Sequence, residues 1–319
     1  MLSQSYSNLD PQLLLTQPGV LAVIAFTETC AQSALPGIIP TGTVSLSAQP
    51  YEVIKYGDKL AQRGTDMGCQ WSRIDDLLCV ATWLSPAACD DIEESTRDAY
   101  SRLFEVVETA GFAQPFRIWN FIPHINQGLG DQELYKRFCV GRQQAFDQLH
   151  VAHRQYPAAS ALGHHGEGAV IYMLAYKRAG AHHENPRQEP AYRYPRQYGP
   201  CSPSFARATS IDVAQQRQLF ISGTASILGH DTTAAGNLEQ QISVTLENIH
   251  CLVDSVPGSF TPLAPIRVYL RHPQDYPAAR ALLLQRFPEE SVNFLHADIC
   301  RDNLLVEIEA AACAASTSC

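Results

Sequence analysis

Residues 116–119 read Phe116-Arg117-Ile118-Trp119, and residues 266–269 read Ile266-Arg267-Val268-Tyr269. Each run sets one arginine between apolar residues, and each follows a long segment of helical periodicity. Before the first, Ile92, Ala99, Leu103, Val106, Val107 and Ala110 recur at helical spacing, opened by Ser85-Pro86 and closed by Gly111. Before the second, Leu238, Ile242, Leu246, Ile249 and Leu252 do the same and stop ahead of Pro257-Gly258. A further helix is predicted after each run, over 131–150 and 275–287. Apolar strand patterns surround them at 20–26, 76–84, 219–228, 292–295 and 304–308. The same order of elements twice over predicts an approximate internal duplication. The expected fold is α+β: two side-by-side β-α-β-α domains, 1–155 and 156–319, with helices on one face of each sheet.

The chain has 319 residues, 45% of them apolar and 17% charged, so it can bury a core and is not disordered overall. Its net charge is −9, with no basic tail or stripe, which speaks against nucleic acid and a polybasic membrane dock as partners. The cations are 19 Arg against 4 Lys. Arginine grips carboxylates with a planar fork, whereas lysine is a hydrated point charge, so this bias favours small anions as ligands. Ten cysteines include no CxxC pair, and several sit in apolar runs such as Leu77-Leu78-Cys79-Val80, which reads as buried reduced thiols. The N-terminal residues lack the charged start and apolar stretch of a signal peptide, and no apolar run reaches membrane-spanning length. A soluble, cytoplasmic protein is expected.

Between the halves lies residues 184–207, ENPRQEPAYRYPRQYGPCSPSFAR. Four arginines (187, 193, 196, 207), three tyrosines (192, 194, 198) and five prolines fall in 24 residues. The prolines forbid a helix or a central strand. Tyrosine rings and hydroxyls beside arginine forks suit an anion pocket, while a surface loop of solvated arginines is the plainer alternative.

Other chemistries lack an anchor. The eleven histidines form no HExxH or HxH pattern and no Cys/His cluster, so no metal is expected. There is no GxSxG elbow, no GxxxxGK[ST] phosphate cradle and no GxGxxG opening a helix, which leaves no ATP or NAD site and no expected cofactor. The run Val306-Glu307-Ile308-Glu309 alternates, so Glu307 and Glu309 share one strand face. On an open face such carboxylates are solvated. Against a closed pocket, burial raises the pKa and produces a proton donor near neutrality.

Longer motifs then carry a family resemblance. LFISGTAS (219–226), IRVYL (266–270) and RDNLLVEIEA (301–310) resemble the RidA/YjgF fold, whose trimers bind small carboxylates in clefts between subunits. FRIWNFIPHIN (116–126), RFCVGRQQAF (137–146), ENPRQEPAYRYPRQYGP (184–200), SPSFARAT (202–209) and SGTASILGHDT (222–232) look like the chorismatases. This resemblance spans about residues 110–310 and is only general over the first hundred. It implies a degenerate RidA-like N-terminal domain beside a true one, a pseudo-trimer-like arrangement, and an active site at their junction in a monomer or small homo-oligomer. It also implies an enzyme that releases pyruvate from chorismate, with Glu307 as the general acid on the enolpyruvyl methylene. Arg142, Tyr194 and Arg207 match substrate-carboxylate positions, with Tyr192 and Arg193 as neighbours. A cysteine seven residues before the acid, here Cys300, is associated with members that form 3-hydroxybenzoate, and Ala225 lies in a motif that varies between product types. The expected product is 3-hydroxybenzoate, with 4-hydroxybenzoate open as a second one. Implied contexts are pigment, quinone-precursor or secondary-metabolite biosynthesis. The alternatives are a hydrolytic chorismatase giving a dihydroxycyclohexadiene carboxylate, and a RidA-like protein that binds small carboxylates or processes imines.

Overall fold

The strand Val306–Ala314 shows how the two faces of the fold are written. Val306, Ile308, Ala310 and Ala312 pack beneath helices, while Glu307 and Glu309 point to the opposite face. The strand belongs to one of three main sheets, beside a two-stranded ribbon of Ile227–Leu228 and Asp231–Thr232, in the computed structural model, which describes residues 2–213 and 216–314. Its sheet has seven strands, in the order Ala181–His183, Ala208–Val213, Gln216–Ala225, Val306–Ala314, Phe260–Leu270, Val292–His296 and Val44–Ser45. A second seven-stranded sheet runs Asp298–Ile299, Ala158–His164, Pro115–Pro123, Ala169–Tyr176, Leu77–Leu84, Cys69–Ile74 and Gln62–Asp66. Each large sheet takes an edge strand from the far end of the chain, which ties the halves together.

Helices cover the outer face of both large sheets, giving the expected α+β architecture. Ile92–Thr109 and Leu134–Gln148 pack on the second sheet, and Leu238–Ser255 and Tyr276–Leu283 on the sheet of Val306–Ala314, the third in chain order. The starts follow from their caps. The Asp91 side chain accepts from the Glu94 amide and the Asn237 side chain from the Gln240 amide, satisfying donors that a helix end leaves free. The predicted helix from Ser85 divides in two, Pro86–Cys89 and Ile92–Thr109, because Asp91 caps anew.

The division expected at 155/156 cuts through the second sheet. After the helix Leu134–Gln148 the chain returns as Ala158–His164, parallel to Pro115–Pro123, and Ala169–Tyr176 then pairs between Pro115–Pro123 and Leu77–Leu84. The same strand, helix, parallel-strand unit recurs as Phe260–Leu270, Tyr276–Leu283 and Val292–His296. The returning strand is therefore part of the repeat, and the N-terminal run of the sheet continues to Tyr176.

The first sheet is smaller: Leu2–Ser7, Tyr51–Tyr56, Val20–Ala25 and Ile38–Pro40. It carries a single five-residue helix, Pro11–Leu15. Its inner face (Leu21, Ile24, Ile54) meets Trp119, Phe121 and Tyr172 of the second sheet and Phe220 and Tyr269 of the third in one shared core. Three sheets thus converge on a centre, and into that centre point Arg117 and Arg267, the two arginines of the duplicated runs. Among the described residues no helix is long and apolar enough to cross a membrane. The nine described cysteines are free thiols, and Cys319 lies outside the described residues.

Candidate active site

Where the second and third sheets part, a cavity of about 660 Å³ opens, of a size suited to a small organic ligand. Its floor is Glu307, Gly223 and Ala225. Its walls come from residues 126–136 on one side and from residues 194–207 and 300–303 on the other. The long proline-rich loop holds only two short turns, Ala191–Arg193 and Arg196–Tyr198, as its prolines require.

Strand alternation delivers Glu307 to this floor, opposite Ala225 on one neighbouring strand and Tyr269 on the other. The residue is 4% exposed, and its carboxyl makes no hydrogen bond to any described residue. Close approach depends on Gly223, since a Cβ there would stand 1.8 Å from Glu307 Oε1. Burial, and then the charge of Glu309, push the Glu307 pKa up to about 8, against the pull of Arg117 and Arg207. The group is therefore mainly protonated at pH 7. A neutral, unshared carboxyl facing a cavity is positioned to give up a proton.

Glu309, two residues on, is its opposite. Burial pushes its pKa up, but Arg117 and then Arg267 overcome this and hold it below the usual carboxylate range. Beside the acid, Cys300 lines the cavity as a neutral thiol, its pKa pushed up to about 12 by burial and by Glu307.

Two arginines look into the cavity without a carboxylate partner. Arg207 donates through Nη2 to the Glu189 carbonyl (2.9 Å) and the Tyr194 hydroxyl (2.8 Å), and its buried Nε has no partner. Its guanidinium lies 5.1 Å from the Phe205 ring. Arg301 donates through Nη1 to the His230 carbonyl and Thr232 Oγ1, stacks 3.9 Å from the Tyr198 ring, and leaves a buried Nη2 unpartnered. Neither is within ion-pair distance of a described carboxylate, so each retains a full charge and free donor capacity. Lys136 adds a third cation at the wall, already paired with Glu133 at 3.1 Å.

Of the residues singled out in the sequence, the structure brings Glu307, Cys300, Tyr194, Arg207 and Ala225 together around the cavity. Arg142, Tyr192 and Arg193 do not line it. Arg142 shares a helix face with Tyr135 and Cys139 and lies buried, its guanidinium 5.1 Å from the Phe138 ring and 3.7 Å from Cys139 Sγ. Tyr135 occupies the cavity wall in front of that face. The turn Ala191–Arg193 sends Tyr192 back onto His153, at 5.1 Å, with Arg193 over its outer side. Sequence reasoning passed over Arg301, although it opens the quoted run at 301–310, because one arginine beside Asp302 carries no periodic signal. Among the described residues no three His, Cys, Asp or Glu side chains gather in a metal-holding arrangement.

A protonated carboxyl beneath two uncompensated guanidiniums, in a pocket between two helix-covered sheets, defines an α+β enzyme site suited to a small polyanion. The chain belongs to the chorismatase family. Residues 54–175 match the family model described as "Chorismatase FkbO/Hyg5-like, N-terminal". A Streptomyces hygroscopicus protein named 3-hydroxybenzoate synthase is 36% identical over 309 residues, covering 91% of this chain and 90% of that protein. A chorismatase of Streptomyces rapamycinicus is 34% identical over 301 residues, covering 90% and 87%. A solved chorismatase structure, 28% identical, superposes over 98% of both chains with a TM-score of 0.86.

Proposed function

We propose that this chorismatase converts chorismate into 3-hydroxybenzoate and pyruvate, with Glu307 as general acid. One observation carries the reading: a carboxyl that is neutral at pH 7, free of protein hydrogen bonds, and set on the floor of a cavity whose walls hold Arg207 and Arg301. Chorismate presents two carboxylates and an enol ether. The two guanidiniums supply one fork per carboxylate, and the tyrosines behind them hold each fork in place.

Glu307 then protonates the methylene carbon of the enolpyruvyl group, forming the new C–H bond and leaving an oxocarbenium ion. The ring's own hydroxyl oxygen attacks the adjacent ring carbon as its bond to the ether oxygen breaks. That electron pair completes the pyruvate carbonyl. The hydroxyl proton returns to the Glu307 carboxylate, so the acid is restored. The epoxide thus closed opens at the oxygen's original C–O bond, and the proton lost from the ring carbon is matched by one taken up on that oxygen, which gives the phenol of the aromatic product. No water is consumed. Cys300 and Ala225 support this branch, because a neutral thiol and a methyl group flank the acid and offer a water molecule little to bind.

Product analysis with chorismate tests the reading. Pyruvate with 3-hydroxybenzoate is expected, and 4-hydroxybenzoate beside it leaves the reading intact. A dihydroxycyclohexadiene carboxylate instead assigns the hydrolytic type. No pyruvate at any pH overturns the proposal in favour of small-carboxylate binding or imine processing.

A further inference from the structure

Where the three sheets meet, each contributes charge to one buried cluster: Glu52 from the first, Arg117 from the second, Arg267 and Glu309 from the third. Arg267 holds Glu52 with a two-point grip, Nε to Oε2 at 2.7 Å and Nη2 to Oε1 at 2.9 Å. Its Nη1 lies 3.0 Å from Glu309 Oε1. Arg117 Nη2 closes on Glu309 Oε2 at 2.5 Å, and Nη1 donates to the Ile118 carbonyl. Two acids and two bases make a closed, neutral set.

Glu309 is saturated as an acceptor. Oε1 also receives the Trp119 indole N–H (2.8 Å) and the Tyr269 hydroxyl (3.1 Å), and Oε2 receives the Ser160 hydroxyl (2.5 Å). Only an ionised carboxylate, which accepts and never donates, fits these four hydrogen-bond donors with the Arg267 guanidinium beside them. Ser160 also accepts from the Gly223 amide at 2.9 Å, the glycine against which the Glu307 carboxyl lies. Glu307 is thus the fifth carboxyl-or-cation group at the edge of a cluster already balanced without it.

We propose that Glu309 is a positioning residue for Glu307: as a fixed anion two residues along the strand, paired with Arg117 and Arg267, it offsets the pull of Arg117 on Glu307 and keeps that acid neutral. The proposal rests on Glu307 being the catalytic acid. The groups facing Glu307 are then few. Glu309 lies on its own strand, Arg117 on Pro115–Pro123, Arg207 on the loop before Ala208–Val213, and the neutral Cys300 beyond Asp298–Ile299. Facing Glu309, besides its donors, are Tyr172 and, across Arg267, Glu52 and Tyr6. Two adjacent carboxyls are driven to opposite protonation states, one to hold charge and the other to transfer a proton.

Infrared difference titration of the free enzyme reads this directly. In wild type a protonated-carboxyl band that is absent from Glu307→Gln should titrate near pH 8. In Glu309→Gln the cluster keeps both arginines against Glu52 alone, and the band should titrate lower by about 1–3 pH units. The alkaline limb of kcat/KM should move with it. Glu309→Asp, which keeps the charge, should restore the wild-type midpoint. If Glu309→Gln does not fold, Arg117→Gln should move the midpoint upward by removing a cation. A midpoint unmoved in Glu309→Gln, or in Arg117→Gln where that variant replaces it, overturns the proposal, because lost packing alone scales activity without displacing its pH profile. The titration needs no substrate: a normal titration without pyruvate release breaks the functional reading and leaves standing only the electrostatic hold of Glu309 on Glu307.

Discussion

Two pairs of arginines lie beside the strand that carries Glu307, all buried except the half-buried Arg301, and they differ in what holds them. Arg117 and Arg267, in the centre, are neutralised by Glu309 and Glu52 at ion-pair distance. Arg207 and Arg301, at the cavity, are held by carbonyls, hydroxyls and aromatic rings, and each leaves a buried nitrogen unpartnered. Neutral partners fix a guanidinium's position without discharging it. The central pair is therefore complete as built, and the cavity pair is complete only with an anion present.

Exchanging one member of each pair for methionine should separate these roles. Arg267→Met leaves Glu52 without its two-point partner, and breaking a buried pair costs about 3–5 kcal/mol, so a large fall in Tm is expected. Arg301→Met removes no ion pair. Its Tm should stay near wild type, while kcat/KM for chorismate falls by about 30-fold or more, the loss expected for a desolvated charge contact. Equal stability losses in both variants would erase the distinction.

The sequence made one of these pairs visible for the wrong purpose. Arg117 and Arg267 stood out as a repeated pattern and pointed to the duplicated fold, since strands and helices are local and periodic. Their convergence at the centre could not be read, because three sheets must pack before residues 52, 117, 267 and 309 touch. Glu307 and Glu309 were legible as sharing a face. Which of them is ionised depends on donors from strands up to 192 residues away in sequence. In the proline-rich loop, composition marked a pocket but gave no rotation about the backbone. So Tyr194 and Arg207 reach the cavity while Tyr192 and Arg193 turn onto the neighbouring surface. The first sheet was the least legible part, its strands lying outside the duplicated pattern.

A smaller effect sharpens the comparison at the cavity side. Cys300→Ala should change the ratio of aromatic to hydrated product while pyruvate release stays within a few-fold of wild type, because the thiol shapes the space beside the acid and carries no proton to the substrate. An unchanged ratio, measured by chromatography of the products, would remove Cys300 from the account.

The central claim is that a protonated Glu307 starts the reaction, and pyruvate release by wild type and Glu307→Gln between pH 6 and 10 tests it most directly. Glu307 is active in its protonated form and its pKa is raised to about 8, so wild-type kcat/KM should be full below that pH and lost as pH rises through it. Glu307→Gln should release pyruvate at least about 10²-fold more slowly at every pH. It should also be no less thermally stable, since above the ordinary carboxylate range the buried acid costs the fold stability that increases up to its raised pKa. Substantial pyruvate release by the folded Gln variant, or an alkaline limb that persists in it, would contradict the account.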